Sequence, residues 1–471
     1  MSNFITRIHK YSCKHLSNGR ARIFIQNSKL LIDAGMPVGT SIETTYSKNR
    51  IEVRVVDDGT NTIMDTGRGA LLELRNKKTH KSFEGYDNVV ITVRKGFIVI
   101  TLPASIQNVK PCIGRFFDKI SNGQPVSYAS LFSGVGWLTY FIQSGLSESG
   151  VHTEMSFAND SDELTLACNV EGNPVWERAS KGAIASSVDL NDLDLNTLEE
   201  CDIVEVSYPC VNTTKLCEAE YRDLNHPVMG HIFVPLVAAL KKMNPCIIIF
   251  ECSGPFLNSQ TYDLIKRSLN NSYRFESTLL KGHPFGDFED RERSCVVAVP
   301  HEFPPLELEK ILPSENVVHR ELKDIYEKIE SDSPLWKKME HVKNKVSDER
   351  LNFKNNVYHG CDTKIATIIA SYASPKIGAP MIGHETDDQL QRQITNLEHI
   401  RIRRAPRKLS EVLMNVSTGI HPLVSRKGNK SAVHRMCGNG VAPLPWVATG
   451  NWLGKKIMSF FKQWKALSYA A

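Results

Sequence analysis

The chain of 471 residues contains eleven cysteines, no two of them in a C-x-x-C spacing. That absence argues against a disulfide framework and against a structural zinc site, so a reducing compartment and no metal are expected. No stretch approaches the roughly 18 continuous apolar residues that a membrane helix needs. The opening MSNFITRIHKYSCKHLSNGR also lacks the apolar centre of a secretory signal. A soluble cytoplasmic protein is expected, nucleoid-associated if the source is bacterial. Internal repeats and low-complexity tracts are missing as well. Charge of one sign is scarce, since the formal net charge is only +5, and a balance that mild names no partner.

What is present falls into two textures. Residues 1–125 alternate the β-branched runs RARIFI, IEVRVV, NVVITV and GFIVITL with the turn signals DDGTN, DTGRG and RKG. This is the pattern of antiparallel strands joined by tight turns, and a β-rich accessory module with a DNA-binding or assembly role is expected there. From residue 127 the strand-like runs SYASLF, MSFAN, CDIVEVSY, CIIIFEC and SCVVAV alternate with helical-period segments such as HIFVPLVAALKKM and TYDLIKRSLNN. Such alternation implies βαβ units and a mostly parallel sheet covered on both faces. Residues 127–300 are therefore expected to form one doubly wound α/β domain. After Pro300 the pattern becomes irregular through HEFPPLELEKILPSENVV, and a polar, mixed region runs to about residue 405. Order returns in a 406–471 segment, where the Gly- and Pro-rich loop in CGNGVAPLPWVATGNWLG leads into a helix.

Several residues in this frame can carry chemistry. LFSGVGWL (131–138) places Gly134 and Gly136 directly after the first strand of the wound domain. Backbone can approach a ligand there and a helix opens, although a plain tight turn would use the same glycines. The next strand ends in FANDSD (157–162), which puts Asp160 where acidic residues take ribose hydroxyls. No third glycine serves a pyrophosphate, so a nucleoside without phosphates, such as S-adenosylmethionine, fits better than NAD.

Cys210 follows CDIVEVSY and Pro209, at the strand edge where open α/β sheets bind ligands. A lone cysteine is more often a small buried hydrophobe, but here proline shapes the turn and a nucleophile becomes a competing reading. Glu251 closes CIIIFEC, and an acid ending a strand of isoleucines is costly unless it has a partner or a task; helix capping is the ordinary alternative. Arg291 and Arg293 alternate ahead of SCVVAV, so both share a face if extended, or else they pair with Glu289, Asp290 and Glu292. Between residues 391 and 430 nine Lys or Arg face two Glu, concentrated in RIRRAPRK. Such a run is either a solvated face or a polyanion-facing surface, because the arginine fork suits phosphate.

The order of these elements across residues 127–458 resembles the cytosine-C5 DNA methyltransferases. Phe132, Gly134 and Gly136 match the family's cofactor loop, with Trp137 in place of the second glycine of its Gly-Gly pair. Asp160 matches the ribose-binding acid and Asp189 the acid that meets adenine. Pro209 and Cys210 match the Pro-Cys pair, followed by Val211 where glutamine is usual. Glu251 matches the catalytic glutamate, although Cys252 and Ser253 stand in the Asn-Val positions. Arg291 and Arg293 match the Gln-x-Arg-x-Arg element, its glutamine being Glu289 here. GNGVAP (438–443) matches the closing loop beside the cofactor, with Asn439 and Val441. The element before that loop is either RKLSE at 407 or RRAP at 403.

The resemblance implies a Rossmann-like methyltransferase sheet over 127–300, a smaller target-recognition domain over 301–405 containing the run KNNVYHGCDTKIATIIASYA, and a 406–471 segment returning to the catalytic domain. It implies methyl transfer from S-adenosylmethionine, leaving S-adenosylhomocysteine, to C5 of a flipped-out cytosine in double-stranded DNA. Cys210 would form a covalent adduct, Glu251 would act as acid at N3, Arg293 would bind the base O2 or orient Glu251, and Arg291 would hold nearby phosphate or neutralise charge. Arg401, Arg403, Arg404, Arg407 and Lys408 would line the phosphate side. The partner expected is duplex DNA and no membrane, with the protein a monomer or weak dimer and a companion restriction endonuclease left open. Methylation of cytosine in RNA uses the same chemistry, and a DNA-binding regulator on a weakened scaffold is the reading from another class.

Overall fold

The computed structural model describes residues 5–104, 109–213, 217–338, 340, 356–374 and 378–469. Lys354 and Asn355, which open the run expected in the target-recognition domain, and Thr214, after the Pro-Cys turn, lie outside the described residues. The chain divides into two compact units, Met1–Lys110 and Pro111–Ala471.

In the first unit, β1 (Arg7–His15), β2 (Ala21–Ile25), β3 (Ser41–Ser47), β4 (Arg50–Val55), β5 (Asn61–Thr62), β6 (Met64–Asp65), β7 (Ala70–Asn76), β8 (Asn88–Arg94) and β9 (Phe97–Thr101) form one nine-stranded sheet. Its order is β5-β3-β4-β9-β8-β1-β2-β7-β6 and every pairing is antiparallel. Period-2 alternation explains the core: Ala21, Ile23 and Ile25 are buried while Arg22 and Phe24 between them stay part-exposed. Two-residue turns with a left-handed position close two of the hairpins, Lys48-Asn49 with Asn49 at φ 62° and Lys95-Gly96 with Gly96 at φ 69°.

The second unit is built on a seven-stranded sheet of β10 (Val126–Leu131), β11 (Thr153–Asn159), β12 (Ala179–Ser186), β13 (Ile203–Ser207), β14 (Ile247–Cys252), β15 (Tyr273–Lys281) and β16 (Glu292–Pro300), in the order β12-β11-β10-β13-β14-β16-β15. β10 to β14 pair in parallel and β16 runs antiparallel between β14 and β15. This is the doubly wound, Rossmann-like α/β fold expected. Strands buried on both faces read as near-continuous apolar runs, as in Ile247–Phe250. One face is covered by helices Val109–Ser121, Trp137–Glu148 and Pro443–Tyr469, whose core includes Phe116, Phe117, Trp137, Phe141 and Trp446; the other is covered by helices Phe233–Met243 and Gln260–Leu269. Leu322, Ile325, Ile365, Ile368, Tyr372, Ile382 and Ile394 form a smaller cluster beside the three-stranded sheet β17 (Val357–Tyr358), β18 (Met381–Gly383) and β19 (Gln391–Gln393).

The division at residue 110 falls before the boundary expected at 125. Helix Val109–Ser121 buries Cys112, Ile113, Phe116 and Phe117 in the core of the second unit, because its apolar face needs the sheet and the final helix to cover it.

Candidate active site

Parallel neighbours end at the same edge of a sheet, so the loops leaving β10, β11, β13 and β14 open on one crevice. β16 is antiparallel and begins at that edge. Phe132 to Gly136, Asp160, Pro209, Cys210, Glu251 and Arg293 therefore gather there from distant parts of the chain.

The loop after β10 turns left-handed at Phe132 (φ 56°), Gly134 (φ 55°) and Gly136 (φ 77°). For an aromatic residue such a φ costs about 1–3 kcal/mol, and Phe132 holds it with its ring edge-on to Tyr208 at 5.9 Å. The Gly134 amide donates to Asp160 Oδ2 at 2.8 Å, and Asn169 and Asn173 donate to the carbonyls of Gly134 and Gly136 at 3.1 and 2.9 Å. A Cβ on Gly136 would lie 2.5 Å from Asn173 Nδ2, whereas a Cβ on Gly134 would meet open space. Gly136 is thus required by packing, and Gly134 leaves room for a ligand against bare backbone. Asp160 Oδ1 also accepts from the Asp162 amide at 3.0 Å. Burial pushes its carboxyl up from the usual range while those two amides pull it back, and each oxygen keeps a lone pair for a ribose hydroxyl.

One expected cofactor residue, Trp137, has another duty. Trp137 is buried, its Nε1 donates to the Met436 carbonyl at 3.0 Å, and a Cβ on Gly440 would lie 2.5 Å from its ring. It fastens the helix after the cofactor loop to the closing segment instead of facing the crevice, as a buried indole N–H needs a partner. Asp189 is exposed and its Oδ1 accepts from the Asn191 amide at 2.8 Å within its own turn; Asn159 ties that turn to β11 through the Val188 carbonyl at 2.8 Å. Asn439 is the exposed end of helix Lys430–Gly438, and Val441 is buried beyond it.

The chemistry-bearing end of the crevice is built by β13, β14 and β16. Ser207 sits opposite Glu251 in the parallel register, and the Tyr208 amide donates to the Glu251 carbonyl at 2.9 Å. Pro209 then sets φ −55° and ψ 121°, and Cys210–Asn212 makes a single 3-10 turn with the Cys210 thiol free and half-buried. Behind it Thr213 Oγ1 and Ser253 Oγ lie 3.1 Å apart. Glu251 is 6% exposed and Arg293 Nε reaches its Oε1 at 2.9 Å. Burial pushes the Glu251 carboxyl up, and Arg293 and Arg291 draw it back.

For Arg291 the phosphate contact is overturned, while its charge still draws the Glu251 carboxyl down. Its guanidinium donates to the carbonyls of Ile368 at 3.2 Å and Gly438 at 2.6 Å, fully buried, so it pins three segments together and presents nothing to phosphate. Neither arginine pairs with the acids beside it in sequence through their carboxylates: Glu289 joins Arg403, Asp290 joins Lys364 at 2.9 Å, and Glu292 joins Lys281 at 3.4 Å.

The basic run 401–408 is divided: Arg403 is buried and Arg404 half-buried, while Arg401, Arg407 and Lys408 are exposed. Arg403 is fully buried, paired with Glu289 and donating to the Cys437 carbonyl at 2.7 Å, so its expected phosphate contact is overturned. Arg401 donates to the carbonyls of Ile325 and Tyr326, both at 2.9 Å, and Arg404 to Asp287 and the Gly286 carbonyl, both at 3.0 Å. Arg407 and Lys408 remain exposed, Arg407 pairing with Glu411 at 2.8 Å. Arg403→Ala leaves Glu289 buried without its cation and is expected to lower the unfolding free energy by about 3–5 kcal/mol. Urea denaturation checks this, and the doubly apolar E289M/R403M should lose less than that.

Glu205 was missed, although the signal that marked Glu251 also marks it, an acid inside an apolar strand. It is fully buried in β13 and accepts from Tyr128 at 2.8 Å, Ser130 at 3.1 Å, and Thr139 and Ser207 at 3.3 Å. Burial pushes its carboxyl up to about 7, and the four hydroxyls hold it from going further.

The model of the C-5 cytosine-specific DNA methylase family matches residues 126–453. The chain belongs to that family. Members act on nucleic acid with S-adenosylmethionine as methyl donor, and the chain is accordingly a methyltransferase by family. No curated protein sequence matches. Among solved structures, the Dnmt2 methyltransferase of S. pombe is similar at 15% identity and a TM-score of 0.52, over 72% of this chain and 98% of its own. A DNMT2 of Spodoptera frugiperda is similar at 16% identity and a TM-score of 0.50, over 71% and 99%. At these identities the likeness speaks for the fold. The left-handed loop, the open space at Gly134 and the anchored Asp160 suit the family's cofactor, a nucleoside without phosphates. Among the described residues no helix is long and apolar enough to cross a membrane.

Proposed function

We propose that the protein methylates C5 of cytosine in double-stranded DNA through a transient bond between Cys210 and C6 of the base. The observation that carries this reading is the convergence of the Cys210 turn with the buried Glu251–Arg293 pair on the edge that also bears the left-handed loop.

C5 of cytosine is a weak nucleophile within an aromatic ring, so an added bond at C6 is required to activate it. Cys210 supplies that bond as a thiolate, and electron density moves through the ring to N3. Glu251 in its protonated form donates to N3, a task suited to a carboxyl raised by burial. Arg293 orients Glu251 and is assigned to the base carbonyl. When bound, S-adenosylmethionine supplies a methyl group on a sulfonium as the electrophile for C5. Loss of the C5 proton to a base, departure of the Cys210 thiolate and return of the N3 proton to Glu251 then restore the ring. Phe132, Gly134, Gly136, Asp160, Asp189, Pro209, Asn439 and Val441 are the residues assigned to hold the donor.

A base stacked in a duplex cannot meet Cys210, so the target cytosine is flipped out at a cost of a few kcal/mol. Residues 301–405 are assigned to target recognition, and the exposed Arg407 and Lys408 to backbone contact. The test is incubation with labelled S-adenosylmethionine and either duplex DNA or tRNA, followed by bisulfite sequencing. Label in duplex DNA is the expected result. Label in tRNA alone would move the acceptor to RNA, and DNA binding without transfer would leave a regulator.

A further inference from the structure

The first unit has a charge character that the second does not share. Residues 1–110 carry 17 Lys or Arg against nine Asp or Glu, a net charge of +8, whereas the whole chain is +5. Residues 111–471, with 40 against 43, are therefore net −3. The excess of cations lies outside the unit that carries the candidate active site.

Part of that excess is gathered on one sheet face. Lys14 of β1 is directly opposite Arg22 of β2, and Arg22 is directly opposite Arg75 of β7, so three cations share one row across adjacent strands. Directly paired residues lie on the same side of a sheet with Cβ atoms about 4.5–5.5 Å apart, and like charges so placed repel. The row next to it on the core side is Cys13, Ile23 and Leu74, all buried, which fixes the cationic row as outward-facing. Arg20 adds a further exposed cation two residues before Arg22. Among the described residues Glu73 is paired with Arg22, which also lies 4.2 Å over the ring of Phe24. Lys14, Arg20 and Arg75 are exposed and carry no ion pair among the described residues.

We propose that this face of β1, β2 and β7 binds the phosphate backbone of the DNA on which the second unit acts. Strands about 4.8 Å apart set Lys14, Arg22 and Arg75 in one row across the face, with Arg20 beside it. A duplex presents one negative charge per about 1.7 Å of axis, so more than one phosphate meets that row at once and relieves its internal repulsion. The contact is to backbone and carries no sequence information, which adds affinity without altering the site recognised. The choice of DNA rests on the function proposed above; the cationic face itself does not.

The test uses full-length protein and a cytosine-free A·T duplex, so that binding is read without methyl transfer. Lys14→Gln, Arg20→Gln and Arg75→Gln together should weaken binding at least about tenfold near 0.1 M salt and reduce the log–log salt slope by about 2–3. A control triple, Lys48→Gln, Arg68→Gln and Lys95→Gln, removes the same net charge from exposed positions off this face and should have a much smaller effect. Both triples should keep the wild-type melting temperature and S-adenosylmethionine affinity. Equal weakening by both triples, or no change of slope in the first, overturns the proposal. So does loss of binding confined to A-form RNA duplex or to phosphatidylserine vesicles. Failure of methyl transfer with the binding loss intact would fault the proposed function and leave this face standing.

Discussion

Cys210→Ala is expected to lower methyl transfer to duplex DNA by at least about 10⁴-fold, because a nucleophile that forms the covalent bond has no substitute nearby. The neighbouring sulfur, Cys252, is 1% exposed, lies inside β14 and contacts Thr213 at 3.6 Å, so it is not placed to attack a base. Cys210 is half-buried on a 3-10 turn and makes no side-chain hydrogen bond among the described residues. Its removal should therefore leave the melting temperature and S-adenosylmethionine affinity close to wild type. A second readout separates a covalent role from a merely steric one. On a duplex with 5-fluorocytosine at the target, the C5 substituent cannot leave as a proton, so the bond to C6 persists. Wild-type protein should then run as a denaturation-resistant complex with DNA and the alanine variant should not. Transfer by Cys210→Ala within about tenfold of wild type would sink the nucleophile assignment.

Glu251→Gln comes next in expected size, at about 10²–10⁴-fold in kcat, the range for loss of a positioned acid. Glutamine keeps the shape and can still hold the exocyclic edge of the base, but it has no proton to give to N3. Because the active form is the protonated carboxyl, the wild-type rate should fall as pH rises through the Glu251 pKa, which burial has raised. The Arg293 cation at 2.9 Å opposes that rise. Arg293→Met should accordingly lift the Glu251 pKa further, moving the alkaline limb of kcat/KM to higher pH even as the maximum rate drops. A limb that stays in place in Arg293→Met, or persists in Glu251→Gln, would show that another group titrates.

Much of the architecture was legible because its signals are local. Residues of β10, β13, β14 and β16 are buried on both faces almost throughout and are therefore mostly apolar, which makes these strands stand out. β12 and β15 were not legible, being the two edges of the sheet. Their patterns, ASKGAIAS and YRFESTLLK, are mostly exposed or half-exposed, so nothing compels an apolar run. Helix Val109–Ser121 packs in the second unit, ahead of the boundary expected from the sequence, for a related reason. An amphipathic stripe shows that a helix needs a partner surface but does not say which one.

The candidate site divides in the same way. Residue type and position at a strand end are written in the chain, and a parallel sheet carries every such end to one edge. Cys210, Glu251 and the glycine loop could therefore be placed together from order alone. The fate of the charges could not be read this way. Arg403, in a run that looks solvated, is buried against Glu289, 114 positions away in the chain, and Arg291 spends its donors on carbonyls from two other segments. The row Lys14, Arg22 and Arg75 appears only when three strands are in register. Sequence by itself determined which groups can react, since covalent neighbours fix strand and turn. Tertiary structure decided which charges are satisfied inside and which face solvent, because a charge is neutralised or desolvated by neighbours in space, and those come from anywhere along the chain.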